Sequence, residues 1–570
     1  MSYHIKQGCV GCQFCKRECP VGAINYWEAG FQIDPEACIS CGRCAEVCHL
    51  DLIYDTDKPK PLTEYHEPVT LHCQVLIIGA GGVGTGAAAK STSLGLDTIM
   101  IEAARHFGGG TYLAHGAMFP SSKRVFEKLG IPDNTEQTVN RWRMMSGGKI
   151  NEDKVRKNVA LNGEFLDWLD QINPLYTAPF IPSVPGGAPF TPDMPVRHIN
   201  RKAEDDSIGP GWTGSWLTES CFEIAQKNGV RYYNRTRAQK FITDDNGAVI
   251  GVSATDPGGE VTIFADAFVL ATGTYMMNDE IMNRILPGYI REGASVCRLN
   301  VPTNVGDGHL MAREIGAKVI MDNARLRGPV HHPFSYPVYR ILDDRENIFV
   351  LDDGRRVFDP KPMIPGMPSV KQSASHEAEP TELIFHTKTG RCYVIMDENQ
   401  LELQGNRLME RSGGNFPYLN HWRDTIEEEC ACESWAARKA DTVEELAVKL
   451  GMDPAVLTAT VSRWNELCEK GADDDFGKEP QFMHPIVNQP FYAFAGQNFD
   501  NGASLGGVYV DDQFRIVHEA GSSLPNIFCA GDCATYNPAE DQGPIGLIGG
   551  LGGSWASGYQ IAKLIHAYLR

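Results

Sequence analysis

Residues 73–102 read CQVLIIGAGGVGTGAAAKSTSLGLDTIMIE, and the order of apolar run, glycines, alanines, second apolar run and terminal acid decides the fold. Val75 to Ile78 predicts a buried strand that turns at Gly79-x-Gly81-x-x-Gly84 into an Ala-rich helix. A second strand over Thr98 to Ile101 ends at Glu102, about 20 residues beyond the glycines, and completes a βαβ unit. Gly79 makes the tight turn, Gly81 lets the backbone reach a pyrophosphate, and Gly84 allows helix and strand to approach. The helix start then offers free amides and the positive end of its dipole to phosphates, and Glu102 is placed to take ribose hydroxyls. A dinucleotide site is expected here.

Towards the N-terminus stand two runs of one spacing, Cys9-x2-Cys12-x2-Cys15-x3-Cys19-Pro20 and Cys38-x2-Cys41-x2-Cys44-x3-Cys48. This is the spacing of two-cluster bacterial ferredoxins, in which the close thiolates of one run wrap a cubane and the fourth Cys crosses to the other cluster. Cys9, Cys12, Cys15 and Cys48 are therefore assigned to one [4Fe-4S] cluster, and Cys38, Cys41, Cys44 and Cys19 to the second. Zinc knuckles also use CxxC pairs, but zinc does not call for a third Cys at the same spacing and a fourth three residues on. Gly8, Gly11, Gly22 and Gly42 would let backbone amides approach the sulfides. The second run ends Cys48-His49 where the first ends Cys19-Pro20, a departure expected to alter the local turn without removing a ligand. Residues 2–55 resemble a bacterial dicluster ferredoxin throughout, and DTDKPKPLTEYHEPVT reads as the linker that follows.

A chain of 570 residues excludes a small binding module. Lys and Arg number 52 against 72 Asp and Glu, and a net charge of -20 repels phosphate backbones and anionic lipid, so nucleic acid is not expected as a partner. The sequence has no apolar run long enough for a transmembrane segment. Of 17 Cys, eight lie between positions 9 and 48; the odd total and a start without a basic and apolar leader argue against a secreted disulfide framework and for a cytoplasmic protein.

Three further stretches bear on which dinucleotide is bound. Gly108-Gly109-Gly110-Thr111 follows the acid, Ala267-Phe-Val-Leu-Ala-Thr-Gly273 supplies an inner strand and turn, and Ile527-Phe-Cys-Ala-Gly-Asp532 ends a strand with a carboxylate suited to a flavin ribityl chain. Together these elements resemble the flavoprotein family of fumarate reductases, succinate dehydrogenases and 3-ketosteroid dehydrogenases. The similarity continues through Asn304-Val-Gly-Asp-Gly-His-Leu-Met-Ala312, through Asp441 to Leu446 and Val461 to Asn465, and through Leu505-Gly-Gly-Val508. The resemblance implies an α/β FAD-binding Rossmann-like domain with an inserted α+β capping domain, here preceded by a small dicluster ferredoxin domain. The expected layout is 1–58 for the ferredoxin-like domain, 59–72 for the linker, 73–325 and 500–570 for the FAD-binding domain, and 326–499 for the cap. It also implies a closing helix that begins at Gly549 to Ser554, with the amides near Gly552 facing the N1 and C2 edge of the flavin. The histidine that attaches FAD covalently in some members aligns with Gly110, so the FAD is expected to be non-covalent.

No second GxGxxG with its strand and helix is visible, so electrons are expected from an external ferredoxin or similar low-potential donor. They would pass through the clusters to FAD and then as hydride to a C=C bond. The family's dicarboxylate clamp is not repeated. Beyond Arg356 the sequence VFDPKPMIPGMP holds no Arg, the later Arg aligns with Gly550, and Asn501-Gly-Ala-Ser504 replaces a histidine. A dianion would lose several charge-assisted hydrogen bonds there. The expected substrate is accordingly a rather apolar enone, enoate or conjugated diene such as isoprene. Candidate proton donors are His332, which matches the His-Pro at the cap entrance, with His331 and Tyr336, and also Tyr339 and His115. Arg355 and Arg356 resemble a structural Gly-x-Arg-Phe turn. Two other readings stay open: an enzyme like adenylylsulfate reductase, and an electron-transfer or bifurcating flavin subunit of a larger complex. Reaction direction and oligomeric state are left open as well.

Overall fold

The computed structural model describes residues 3–6, 9, 11, 12, 14–27, 30–55, 65–113, 117, 118, 124, 127, 133, 135–145, 151–172, 180–182, 197–199, 214–292, 297, 298, 300–321, 324–330, 345–359, 378–412, 422–432, 435–504, 506–535 and 553–570. His331, His332, Tyr336, Tyr339, His115, Gly8 and Gly552 lie outside these residues.

The N-terminal unit consists of β1 (Tyr3–Ile5), α1 (Phe14–Glu18), β2 (Ile24–Trp27), β3 (Gly30–Ile33), α2 (Arg43–Glu46) and β4 (Ile53–Asp55). β1 pairs antiparallel with β4, and β2 with β3. Each Cys run thus contributes a loop and one short helix. The unit's core is small: Tyr3, Ala23, Ile24, Phe31, Ile33 and Ile53 close around Cys15 and Cys44. So few apolar residues supply little burial for a unit of this size, and a bound metal centre is the usual supplement.

The second unit is an eight-stranded sheet. β5 (Val69–Ile78) runs through α3 (Gly82–Ser93) to β6 (Thr98–Ile101), followed by α4 (Gly109–Tyr112). β5 lies parallel between β6 and the strand Gly259–Leu270, which is also parallel to Ser523–Cys529. Leu76 faces Ile99 on one side and Phe268 on the other, and Phe268 faces Ile527, so one row of fully buried side chains crosses the sheet. A parallel sheet covered by helices calls for apolar residues on both faces, which explains the unbroken run Val75 to Ile78. The last helix, Ser554–Tyr568, packs on α3 so closely that a Cβ on Gly558 would lie 2.1 Å from the Val83 carbonyl oxygen.

The third unit is a seven-stranded sheet organised on the long strand Phe491–Ser504. Strands Arg391–Asp397, Ala437–Ala440 and Ala324–Val330 pair antiparallel with it, and Cys297–Arg298 pairs parallel. The sheet therefore draws strands from either side of 326–499. Its helices include Glu398–Ser412, Trp422–Ala431, Val443–Leu450 and Pro454–Lys470. A buried ionic group anchors it. Arg356 makes a two-point contact with Asp473 (3.0 and 2.6 Å), and the Lys478 ammonium sits 2.5 Å from Asp359 while donating to the carbonyls of Arg345 and Asn347. Burial pushes the Asp473 carboxyl up, but Arg356 and the Lys478 and Phe476 amides outweigh it and hold the group at about 2. Arg356 is thus a structural residue, and Arg355 points outward with its side chain 70% exposed. Among the described residues no helix is long and apolar enough to cross a membrane.

Candidate flavin cradle and thiolate sets

The cradle forms where β5, β6, Gly259–Leu270 and Ser523–Cys529 end together, at the carboxyl edge of the sheet where open α/β sheets bind ligands. Gly79 turns at φ +103° and donates its amide to the Ile101 carbonyl (2.8 Å). A Cβ on Gly84 would lie 1.9 Å from the Gly79 carbonyl oxygen, so the turn and α3 approach as closely as the sequence pattern requires. Gly81 is the N-cap of α3, and no side chain caps it. Apart from the Gly82 amide, which Thr111 Oγ1 accepts, a helix start of this kind offers its first amides to an anion.

Glu102 is buried, and its two carboxylate oxygens accept the amides of Ala80 and Ala104, each at 2.8 Å. Burial pushes its carboxyl up against the pull of those amides. The acid therefore braces the glycine turn, and its remaining lone pairs are the ones available to a ribose.

α4 folds over the start of α3. Gly108 donates to the Ala80 carbonyl (2.8 Å), Thr111 Oγ1 accepts from the Gly82 amide (3.2 Å), and a Cβ on Gly109 would lie 3.5 Å from the Gly81 Cα. Gly110 instead faces open space, with nothing within 4 Å of where a Cβ would sit. On the opposite wall the Ala271 amide donates to the Ile78 carbonyl, Gly273 turns at φ +73°, and Thr272 Oγ1 lies 3.3 Å from Cys533 Sγ. Asp532 sits in the turn Gly531–Cys533, where burial pushes its carboxyl up to about 7. Gly79, Gly81, Gly84, Glu102, Gly109, Gly110, Thr111, Gly273 and Asp532 are thus brought to one edge of one sheet. Glycine walls, a helix start with glycine at its N-cap and two buried carboxylates are a donor and acceptor set that fits an adenine dinucleotide with a polyol arm.

The cysteines of the N-terminal unit fall into crossed sets. The thiol charges felt by Cys12 are those of Cys9 and Cys48, whereas those felt by Cys44 are Cys38, Cys41 and Cys19. Cys15 feels Cys12, Cys9 and Cys48, and beyond them Cys44 of the other set. Burial pushes the Cys12 thiol up to about 12 and the Cys44 thiol to about 11, with the neighbouring thiols adding to both. Backbone amides nonetheless point at sulfur: Ala23 at Cys19 (3.2 Å), Ser40 at Cys38 (3.4 Å) and Leu52 at Cys48 (3.4 Å). Thiols crowded and buried this way ionise only against a cationic partner, and amides aimed at sulfur stabilise thiolates once it is bound. Cysteine sulfur in this arrangement fits iron-sulfur cores. Among the described residues no three His, Cys, Asp or Glu side chains converge on a single ion.

The two units meet at an apolar contact that sequence reading did not identify. Leu50 and Leu52 pack with Tyr112, Leu113 and Val301, and Cys9, Cys12, Phe14, Cys48 and Phe107 pack around them. His49 stacks face to face on Tyr112, with centroids 3.7 Å apart and planes at 23°. Phe14 flanks both rings, 6.1 Å from His49 and 6.0 Å from Tyr112. The Tyr112 hydroxyl donates to Glu219 Oε1 (2.5 Å) on the helix Gly214–Lys227. Burial, helped by His106, pushes the His49 imidazole down to about 4, so it stacks as a neutral ring. The one sequence signal for this contact is the Cys48-His49 departure from Cys19-Pro20.

Residues 74–547 match the model of the FAD binding domain family, and residues 8–51 match a 4Fe-4S dicluster domain. Among curated proteins the chain is similar to urocanate reductase of Eggerthella lenta, 24% identical over 84% of this chain and 72% of the relative. It is 26% identical to digoxin reductase of the same organism over 80% of each chain, and 22% identical to vinyl phenol reductase of Lactiplantibacillus plantarum over 82% of this chain and 91% of that one. Of the solved structures, the open conformation of a flavocytochrome c3 fumarate reductase shares the fold at TM-score 0.64 and 21% identity, covering 87% of this chain and 79% of that one. A 3-ketosteroid-delta4-(5alpha)-dehydrogenase from Rhodococcus jostii does so at 0.60 and 23%, covering 89% and 98%. With the cradle at the carboxyl edge of its sheet and two cysteine sets beside it, the chain belongs to the FAD binding domain family and carries a 4Fe-4S dicluster domain at its N-terminal end.

Proposed function

We propose that this oxidoreductase takes single electrons from an external low-potential protein and reduces an activated C=C bond in a rather apolar substrate that is not a dicarboxylate. The observation that carries the reading is the apolar contact that seats Cys9, Cys12 and Cys48 against Tyr112 at the end of α4. An electron store built into the flavin cradle suits a reductase fed by one-electron carriers. FAD, when bound, supplies two-electron hydride transfer and the clusters supply one-electron conduction. The chain's part is to hold the pyrophosphate at Gly79 to Gly84, the ribose at Glu102, the ribityl chain at Asp532, and the flavin edge near Gly109, Gly110, Thr111, Gly273 and Gly552. The FAD is non-covalent in this reading, since the position that carries a histidine in covalent members is Gly110. Two [4Fe-4S] clusters are held by the crossed Cys sets.

Similarity to reductases named for urocanate, digoxin and vinyl phenol supports alkene reduction as the reaction class. The absence from the sequence of the two clamp arginines supports an enone, enoate or diene over fumarate. His332, with His331 and Tyr336 as the other candidates, is the proposed proton source. Entry of electrons falls to the second Cys set, where Cys41 is exposed. The large third unit supports an enzyme with its own substrate over a bare relay, and a cytoplasmic setting suits free thiols that must stay reduced.

The test is an anaerobic assay of the purified protein with reduced viologen against enoates, enones, dienes, fumarate and adenylylsulfate, with metal and flavin analysis. About eight iron and one acid-extractable FAD per chain are expected, together with viologen oxidation by at least one of the non-dicarboxylate alkenes. Turnover confined to fumarate or to adenylylsulfate, or zinc in place of iron, overturns the reading.

A further inference from the structure

The geometry points to the His49–Tyr112 stack as the junction through which electrons leave the first Cys set for the flavin, with Tyr112 as a positioning residue. The inference rests on the reductase reading above and assigns that reading its internal route. His49 follows Cys48 directly, so one side of the junction is joined by the backbone to a proposed cluster ligand. Tyr112 ends α4 and follows Thr111, so the other side is joined to the cradle. Between them the rings overlap face to face at 3.7 Å, closer than the usual range of aromatic pairs.

Three features distinguish this stack from ordinary packing. It is shielded on the Tyr112 side: Tyr112 is 7% exposed, Leu50, Leu52, Leu113 and Val301 pack beside it, and His49 is half-buried. Apolar walls limit the solvent rearrangement that opposes charge movement. It is oriented: the hydroxyl bond to Glu219 fixes the Tyr112 ring through its edge. It is also one-sided, because the equivalent place after the other run is Pro20, an exposed residue with no π system. Of the two residues that follow the runs, His49 and Pro20, only His49 carries an aromatic ring, and that ring stacks on the end of the flavin cradle. Each passage moves one electron from an iron centre, oxidising it, to the flavin. Two passages and one proton from solvent give the reduced flavin that the hydride transfer consumes.

The holoenzyme and its Tyr112→Leu, Tyr112→Phe and His49→Ala variants would be mixed anaerobically with reduced methyl viologen in a stopped-flow instrument. Cluster and flavin bleaching are followed at separate wavelengths, and the rate left in Cys12→Ala measures direct reduction of the flavin by viologen. The expected result is unchanged cluster reduction and a several-fold slower flavin phase in Tyr112→Leu and His49→Ala, with recovery in Tyr112→Phe, which keeps the ring and loses only the Glu219 bond. A flavin phase at the wild-type rate in Tyr112→Leu, at full iron and FAD content, overturns the junction alone. Should Tyr112→Leu lose either cofactor, His49→Ala decides in the same way. A wild-type enzyme whose clusters bleach while its flavin stays oxidised overturns the reductase reading and the junction with it.

Discussion

Cys9 to Cys19 and Cys38 to Cys48 repeat one ligand spacing, yet they sit in opposite surroundings. Cys9, Cys12 and Cys48 pack against the apolar contact with Tyr112, whereas Cys41 is exposed and its neighbourhood in the chain includes Ile39 at 60% and, beside Cys19, Val21 at 43% exposure. Spacing sets which sulfurs share a core; it says nothing about where that core faces. The contrast teaches that, in the proposed two-cluster path, direction is set by what lies next to each run. An aromatic and leucine wall marks the inner end, and bare aliphatic side chains mark the outer one.

The largest expected effect comes from removing one buried or one exposed ligand. Cys12→Ala is expected to lower iron from about eight to about four per chain and to bring viologen-driven alkene reduction to background while FAD remains bound. Cys41→Ala removes the outer centre only, so a small donor such as viologen still reaches the inner one and retains part of the activity, while a protein donor loses nearly all of it. Equal losses with viologen in the two variants, measured beside iron content and the EPR of the reduced protein, would remove the inner and outer distinction.

Next is the wall itself. Leu52 is buried between the units, and Leu52→Ala is expected to cost about 2–5 kcal/mol of the attachment of the N-terminal unit. The readout is a lower urea midpoint for release of iron, with the midpoint for loss of flavin moving less. If both midpoints move together, the two units unfold as one and the contact is part of a single core.

How much of this was legible in the sequence follows from how local each feature is. The βαβ unit could be read because its three glycines do steric work within a few residues of one another, as the 1.9 Å gap at Gly84 demonstrates. The cysteine sets could be read because cluster spacing is likewise local. Tyr112, Glu219 and Leu52 could not, because stacking and packing partners far apart in the chain leave no period behind. The third unit shows the same limit: the two-residue strand Cys297–Arg298 has no alternation to detect, and only pairing with Phe491–Ser504 makes it a strand. The proton-donor candidates His331, His332 and Tyr336 lie outside the described residues.

A smaller effect is expected at the outer face. Ile39 and Val21 are exposed aliphatic side chains beside the proposed entry centre, and a protein donor docking at that centre would cover them. Ile39→Asp is expected to raise KM for a protein donor several-fold and to leave viologen-driven kcat where it was. A change in viologen-driven kcat would mean that the substitution disturbs the cluster loop, not the docking of a partner.

The smallest effect concerns the ion pairs that also cross between the units. Arg105 lies 3.7 Å from Asp51, and Lys16 lies 3.3 Å from Glu428 on the third unit's helix Trp422–Ala431, with both pairs partly exposed. At such sites the Coulomb gain is offset by side-chain ordering and by salt, leaving about 0–1 kcal/mol. Arg105→Ala is therefore expected to move the iron-release midpoint far less than Leu52→Ala, and its small effect should vanish in high salt while the leucine effect persists. Charge could hold the inner run in place only if the order of these two variants were reversed. The leucine wall, and not the ion pairs, would then be the incidental part of the contact, and the aromatic stack would lose the enclosure on which its role depends.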